Sequence, residues 1–494
     1  MREFMVGPFK TVIHAVVAMT VLLSFVSGAF AGKKVITSNL KEEYNPELRV
    51  AIIGAGISGL VAAHTLKEMG YKNVTVFEKD DEVGGKIHTH EMNDKIYDLG
   101  AVWVSGNYDN VRQLAKQFNV DLIKAKDLKV ADLKDKSEMT TNEYLLQHYS
   151  KSDILKAFYR LGKLMSHNHT ATAGLSLQED PDLALPFGEY IKRKKIEPFA
   201  KTFQPLVVGC GYGFYEEIPA LYIMKIINQG FNNAIEGVLK FWQNRESSYV
   251  KKGYQEILRQ VAKKLDVRTN SLVSKIEREV MPNGDLAKIK ITAGDKSYEF
   301  DRVVITHPPN AAKDMMNLSD EEKLLFSQVE TYSYYVILSE VEGLDPSEWD
   351  GRAIIENTGI DKAGHAIILA NPYHEDKSIF LSWHLSPQGS LSDDEVILSL
   401  NEDLAKVGGN LKKIILIKKY DNYFPHVKTE ALQGNFANDP AASVVAPPEQ
   451  DFYQRLNSLQ GKNGTYYVGG LMNFESAEHS ADFATKLMKH HFKK

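Results

Sequence analysis

The 494-residue chain has a single cysteine, Cys210, so it forms neither an intramolecular disulfide nor a cysteine-based metal cluster, and no metal site is expected. Set between Gly209 and Gly211, that residue reads as a close-packed small side chain rather than a reactive thiol. A surplus of one charge is also missing. With 59 Lys and Arg against 64 Asp and Glu, nothing in the balance calls for a nucleic-acid partner. The start of the chain lacks a twin arginine, and its apolar run, Val12 to Val26, is short for a hydrocarbon core of about 30 Å. Arg2 and Lys10 precede that run, and Ala29-Phe30-Ala31 follows it with a small-x-small pattern. Residues 1–31 therefore read as an export signal, cleaved before Gly32. The expected protein is periplasmic, secreted or lumenal and keeps no membrane span; the alternative is an uncleaved anchor.

What the chain does have is one decodable stretch, LRVAIIGAGISGLVAAHTLKEMGYKNVTVFEKDDEVGGK at 48–86. Val50 to Ile53 form an apolar run without alternation, as in a strand buried on both faces of a parallel sheet. Gly54, Ala55, Gly56, Ile57, Ser58 and Gly59 follow at once. In this spacing the first glycine permits a tight turn, the second lets backbone approach a pyrophosphate, and the third admits close helix packing. The helix that opens there would turn its N–H groups to the phosphates. Leu60, Ala63, Leu66 and Met69 supply its apolar stripe, and Val74, Val76 and Phe77 a second strand that delivers Glu78 and Lys79. A carboxylate at that point accepts from ribose hydroxyls and argues against a 2′-phosphate, hence against NADP. At this length two intergrown domains are expected.

Gly84-Gly85-Lys86, then Thr89, then Asp98-Leu99-Gly100-Ala101-Val102-Trp103 resemble the second signature of the flavin-containing amine oxidase superfamily. That resemblance implies FAD rather than NAD, with the glycine pair and lysine on the pyrophosphate and the Gly100 to Trp103 segment along the flavin. It further implies a backbone at Val273 against the adenine, and a closing strand-Gly469-Gly470-helix whose N-terminus faces the flavin. The implied fold is α/β: a discontinuous Rossmann-like FAD-binding domain in three parts, 48–130, 251–310 and 416–494. An intergrown α+β substrate domain occupies 131–250, read as helical, and 311–415. Lys33 to Glu47 reads as a polar leader, and Lys124 to Lys136 as a charge-rich connection.

The markers of amine oxidation are incomplete. No lysine falls within strand-like 332–340 or 378–384, and the late aromatic pair reduces to Tyr423 and Phe474. Leu185-Pro186-Phe187, Gly211-Tyr212-Gly213, Ile218-Pro219-Ala220 and Tyr423-Phe424-Pro425-His426-Val427 look more like polyenoic fatty acid double-bond isomerases and beta-cyclopiazonate dehydrogenase-like flavoproteins. The implied activity is FAD-dependent hydride abstraction from a hydrophobic small molecule. Its alternatives are redox-neutral isomerisation of polyunsaturated fatty acids, amine oxidation, and FAD binding without catalysis. Aromatic density at Phe203, Tyr212, Phe214, Tyr215, Tyr222, Phe231, Phe241 and Trp242 suggests an apolar pocket wall. Acids in that segment, Glu216, Glu217 and Glu236, are equally explained as solvated positions. Tyr423, Phe424, His426, Phe241 and Trp242 are the candidates for contacting flavin or substrate.

Overall fold

In the computed structural model, residues 41–126, 128–133, 137–167, 174–177, 180–229, 247–280, 286–345, 350–372, 376–436 and 451–493 are described. The expected export signal and the rings of Phe231, Phe241 and Trp242 lie outside them, as does Glu236. Among the described residues, no helix is long and apolar enough to cross a membrane.

The chain opens with β1 (Arg49–Ile53), α1 (Ile57–Glu68) and β2 (Asn73–Phe77). A hairpin, β3 (Thr89–Met92) and β4 (Lys95–Asp98), leads to α2 (Asp109–Gln117). Three short strands follow: β5 (Leu122–Lys124), β6 (Leu128–Asp132) and β7 (Ser137–Met139). Helices α3 (Thr141–His148), α4 (Lys151–His167), α5 (Phe187–Lys194), α6 (Glu197–Gly209) and α7 (Ala220–Gln229) come next, then β8 (Ser248–Val250) and α8 (Gln255–Ala262). The middle of the chain holds β9 (Asp266–Arg268), β10 (Val273–Val280), β11 (Leu286–Ala293), β12 (Lys296–Phe300), β13 (Arg302–Ile305) and α9 (Asp320–Ser327). It continues through β14 (Glu330–Glu342), β15 (Gly351–Ile354), β16 (Ala366–Ala370), β17 (Ile379–Pro387), α10 (Asp393–Lys406) and β18 (Asn410–His426). Last are α11 (Thr429–Leu432), α12 (Phe452–Ser458), β19 (Thr465–Tyr467) and α13 (Ala477–His491).

Two sheets organise these elements. Five parallel strands run in the order β19-β13-β1-β2-β9, so the apolar strand β1 is central and its Val50, Ala51 and Ile52 are fully buried. Helix α1 can lie close on this sheet only because residue 59 is glycine: a β-carbon there would overlap the Gly54 carbonyl oxygen. The second sheet has the order β18-β14-β17-β16-β15-β6-β7 and is antiparallel except where β15 meets β6. Helix α6 approaches it just as tightly, because a β-carbon on Gly209 would run into Ile368 of β16.

Three expectations need correction. The 131–250 segment is not purely helical, since β6 and β7 extend the seven-stranded sheet. Lys124 to Lys136 is more than a connection for the same reason: apolar residues at 128 and 130 alternate with polar neighbours, which suits an outer strand. The stretch before Leu48 also belongs to the fold. Glu42 donates its N–H to the His491 carbonyl at 2.6 Å, pairs with Arg302 at 2.5 Å and accepts from the Tyr466 hydroxyl at 2.6 Å.

Behind the parallel sheet, Arg278 of β10 makes two hydrogen bonds to Glu322 of α9, at 2.7 and 2.8 Å, and the Tyr467 hydroxyl of β19 donates to the same carboxylate at 2.5 Å. Both charged side chains are buried. Burial, the largest single influence, would raise the Glu322 pKa, but the hydrogen bonds and charge of Arg278, with the Tyr467 hydroxyl and the Ser319 N–H, together outweigh it and hold the carboxyl below its ordinary value. Removing one partner strands the other charge, so Arg278→Met is expected to lower unfolding free energy by ~3–5 kcal/mol in a denaturant titration. Because the folded pKa is depressed, this stabilisation is present above the ordinary glutamate range and is lost as pH falls through the folded value. The variant's acid-denaturation curve should be correspondingly flatter.

Candidate functional site

A cavity of about 2000 Å³ begins at the carboxyl ends of β1, β2, β13 and β19 and extends over one face of the seven-stranded sheet. Ligands in open α/β sheets bind at the carboxyl ends of the strands, and a typical small-molecule pocket takes only about 300–1,000 Å³. The volume therefore accommodates a dinucleotide and a second molecule together.

At the sheet end, Gly54, Gly56, Ile57 and Ser58 line the cavity. Gly56 precedes α1 without any side-chain cap, so the helix N-terminus meets the cavity as backbone, an arrangement suited to phosphate. Ala55 is buried behind this turn and donates its N–H to Glu78 at 2.7 Å; Gly59 serves the helix packing already described. Glu78 lines the wall beside Lys79, its other oxygen accepting from the Asp80 N–H at 3.0 Å. Gly84 and Gly85 stand at φ +139° and +60°, a backbone region that favours glycine, and Gly84 bridges to Gly56. These glycines, Lys86, Val273, Gly469 and Gly470 all border the same space. The predicted contacts thus converge, and a backbone cradle with a carboxylate at the second strand fits a flavin dinucleotide.

Gly100, Ala101, Val102 and Trp103 carry the wall from the cradle toward the second sheet. The Trp103 indole donates to the Tyr249 hydroxyl at 3.1 Å, Tyr249 donates to Asp350, and Asp350 also accepts from the Lys126 N–H at 2.5 Å. Burial, reinforced by Asp350, holds the Tyr249 phenol protonated. Trp103 lies 5.6 Å from Trp383 between ring centroids, so two indoles border the cavity side by side.

The rest of the floor comes from strands of the second sheet, whose rings, Tyr423 apart, the sequence reading did not assign to the pocket. Tyr423 and Tyr420 on β18, Tyr334 on β14, Trp383 on β17, Ile368 on β16, Ala353 on β15 and Val130 on β6 face it in sheet order. Alternation in TYSYYVILSE was the available signal, because it puts one tyrosine set on each face. Phe203, Leu206 and Gly209 of α6 close the other side. Of the expected ring cluster, Phe203 and Tyr212 reach the cavity, whereas Phe214, Tyr215 and Tyr222 are core residues. Among the described residues, the expected Phe203 to Trp242 wall thus contributes the rings of Phe203 and Tyr212, and the sheet supplies Tyr334, Trp383, Tyr420 and Tyr423. Lys418 and Lys419, on a strand outside the two searched for lysine, also border the cavity.

The candidate contacts on β18 separate. Tyr423 lines the cavity, stacks on Tyr334 at 4.5 Å and donates to the Cys210 carbonyl at 3.1 Å. Asn422 and Phe424 flank it at φ +56° and +46°, where the pairing with β14 slips register, and such irregularities re-aim side chains. Phe424 and His426 stand behind the wall. Phe424 packs on Tyr212 at 5.5 Å and Phe474 at 5.4 Å, and His426 stacks on Tyr332 at 4.9 Å. Burial pushes the Cys210 thiol up to about 12, which fits a packing residue. It pushes His426 down to about 4, only partly opposed by the contact with the Phe424 carbonyl. His426 should therefore stay neutral from pH 5 to 8 in an NMR titration of its ring. Since an unfolded histidine protonates near 6.5, its contribution to stability falls as pH drops below that value.

The model of the flavin containing amine oxidoreductases matches residues 57–344. A polyenoic fatty acid isomerase from Ptilota filicina is 21% identical over 90% of this chain and 95% of its own length. A probable polyamine oxidase 4 from Arabidopsis thaliana is 26% identical over 56% of this chain and 54% of its own. Among solved structures, the CLA-producing fatty acid isomerase from P. acnes superposes with a TM-score of 0.77 at 22% identity, covering 90% of this chain and 99% of that one. A putrescine oxidase bound to putrescine gives 0.61 at 15% identity, with 89% and 98% covered. The protein belongs to the flavin-containing amine oxidoreductase family and is a flavin-dependent enzyme.

Proposed function

We propose that the chain holds FAD and transfers hydride between it and a long apolar substrate that carries an acidic head group. The observation that carries this reading is the floor of the cavity. From β18 to β6 the contributing strands are separated by five inter-strand steps, roughly 24 Å at the usual sheet spacing; the side chains from the four strands between them are aromatic or aliphatic, while β18 adds Lys418, Lys419, Asp421 and Asn422 beside its tyrosines. At the β6 end Lys124, Lys126 and Lys129 line the cavity beside Glu143, and Lys129 is paired with Glu138 at 3.4 Å. A polyamine asks for the opposite pattern. Charge and shape together suit a fatty acid, its carboxylate toward the lysines and its unsaturated carbons among the rings.

Bound FAD supplies a hydride acceptor that can also return what it takes. The chain's own residues bind, orient and shield. Backbone N–H groups at the start of α1 and the turns at Gly84 and Gly85 receive the pyrophosphate, and the Glu78 carboxylate accepts from ribose. The sheet face holds an extended chain against sliding, and fixing a reacting carbon beside its acceptor is worth up to ~7–11 kcal/mol of barrier. Trp103, Trp383, Tyr334 and Tyr423 present ring faces to electron-poor carbon, each stabilising developing positive charge by ~0.5–2 kcal/mol in a dry site. When the hydride is returned to another carbon of the cation that its removal leaves, no proton is released, so the redox-neutral course requires no acid–base pair in the wall; net oxidation also requires that cation to give a proton to a base or to water.

A redox-neutral outcome, with hydride restored to a different carbon, is the second reading. It is favoured by two fatty acid isomerases whose nearly entire lengths match this chain. Net oxidation instead needs an external electron acceptor.

Two experiments test these statements. Purified protein should be yellow, and Gly56→Val should be folded but colourless. A β-carbon at Gly56 has its nearest neighbour 3.9 Å away, at the Gly84 carbonyl oxygen, so the added bulk enters the phosphate space rather than the core. A colourless wild type that cannot be reconstituted with FAD rejects the cofactor. Anaerobic mixing with linoleate, its methyl ester and spermidine, followed by joint flavin and diene spectra, tests the substrate. Expected are saturable signals with the free acid, at least tenfold weaker binding of the ester, and no response to the polyamine. Conjugated diene of unchanged mass denotes isomerisation, and persistent flavin bleaching denotes oxidation; bleaching by spermidine alone rejects the reading.

A further inference from the structure

Three hydrogen bonds join cavity segments that are far apart in sequence. One carboxylate oxygen of Asp350, Oδ2, accepts from the Lys126 N–H at 2.5 Å and from the Tyr249 hydroxyl, and the Tyr249 oxygen accepts from the Trp103 indole at 3.1 Å. A tyrosine hydroxyl has one proton, so giving it to Asp350 leaves only the oxygen to meet Trp103, which sets the orientation of the indole. Asp350 and Tyr249 are both buried. Asp350 is itself fixed to the seven-stranded sheet. Its carbonyl accepts from the Asn371 N–H at 2.9 Å, and the next residue is pressed against β16, where a β-carbon at Gly351 would overlap Ala370. The connection that carries Lys126 is held on its other side as well, by the Ala125 N–H on the Ser247 carbonyl at 3.0 Å.

Lys126 differs from other lysines around the cavity. Lys86 pairs with Glu475, Lys129 with Glu138 and Lys419 with Asp421. Among the described residues, the Lys126 ammonium has no such partner. Its backbone is anchored while its charge stays available to a ligand. An amphipathic chain lying along the wall therefore meets a cation and an indole that are both tied to one buried carboxylate. Spacing of this kind matters, because displacing a reacting carbon by about 1 Å costs up to about a hundredfold in rate.

Resting on the function proposed above, we infer that Asp350 is a positioning residue that fixes the interval between Lys126, which receives the head group, and Trp103, beside which the chain reacts, and so selects which carbons are presented to the rings.

The test compares linoleate with the homologous dienoic acid that has two more methylenes between carboxylate and diene, by anaerobic flavin and diene spectra of FAD-loaded protein. Wild type is expected to favour one of the two acids by at least about tenfold, the discrimination that a methylene brings in an apolar site. Asp350→Ala should bring that ratio below about threefold with FAD content unchanged, and Asp350→Asn, whose amide oxygen can accept both bonds, should restore it. Tyr249→Phe keeps the Asp350 bond to Lys126 but releases Trp103, so the ratio should fall there too while the preference for free acid over methyl ester is kept. Lys126→Met should lose that preference. If Asp350→Ala does not fold, Tyr249→Phe decides alone. A ratio within about twofold of wild type in the folded variants, whatever their rate, denotes a merely structural role and overturns the inference. So does a wild type that treats the two acids alike, or a Lys126→Met that still prefers the free acid. A wild type that responds to neither acid overturns the proposed function itself, and is distinguishable because no variant is needed to see it.

Discussion

Close backbone approach at the end of β1 is the constraint on which the rest depends. Gly59 presses on the Gly54 carbonyl, Gly54 turns at φ +108°, and Gly84 docks its N–H on the Ala55 carbonyl at 3.0 Å. Those contacts leave a helix N-terminus and two consecutive turns facing one point. Any side chain larger than hydrogen at the crowded positions would hold the helix off the sheet and spread the backbone donors apart. The carboxylate of Glu78 is drawn into the same turn through the Ala55 N–H, so the acid at the end of β2 and the backbone turn after β1 are positioned by one another.

The second sheet is organised by a different requirement, that of giving an extended ligand one uninterrupted face. Strands β14 and β17 are buried along almost their whole length, so α10 and the inner layer each receive alternate side chains. Tyr335 and Ile337 pack in the smaller core, while Tyr334 faces the cavity. The irregular pairing of β18 then turns Tyr423 inward and leaves His426 in the stack behind it. Tethers from the wall to its surroundings keep the rings in place. Tyr334 donates to the Gly209 carbonyl at 2.6 Å, Tyr420 to Leu99 at 2.7 Å, and Trp103 is tied through Tyr249 to Asp350. Each of these hydroxyls spends its proton on structure, which is consistent with a wall that binds and shields rather than exchanging protons.

Charge is distributed so that the two ends of the cavity differ. Lys86 and Glu475 pair near the cradle, and Lys124, Lys126 and Lys129 line the β6 end, where Lys129 pairs with Glu138. Under the function proposed above, such an arrangement would orient an amphipathic molecule with its polar end away from the rings.

The dinucleotide cradle was legible in residues 48–103 because its determinants are local: glycine spacing, an unbroken apolar strand and an acid at the next strand end depend on backbone geometry within a few turns. The return of the chain to the first sheet at β13 came instead from the family resemblance, because β1 and β13 are far apart in sequence and pair only in the fold. The substrate wall was not. Tyr334, Trp383, Ile368, Ala353 and Val130 are far apart in sequence and become neighbours only through strand order, while Phe214, Tyr215 and Tyr222 look identical in composition yet turn into the core. The sequence by itself determined a backbone cradle of the dinucleotide-binding type, since steric limits on a few consecutive residues suffice for that, and its resemblance to the flavin-containing amine oxidases supplied the superfamily. Only the tertiary structure decided which rings line the cavity, that Phe424 and His426 stand behind the wall, and that Asp350 joins Lys126 to the Trp103 tether, because those facts depend on sheet register and on which face each strand buries.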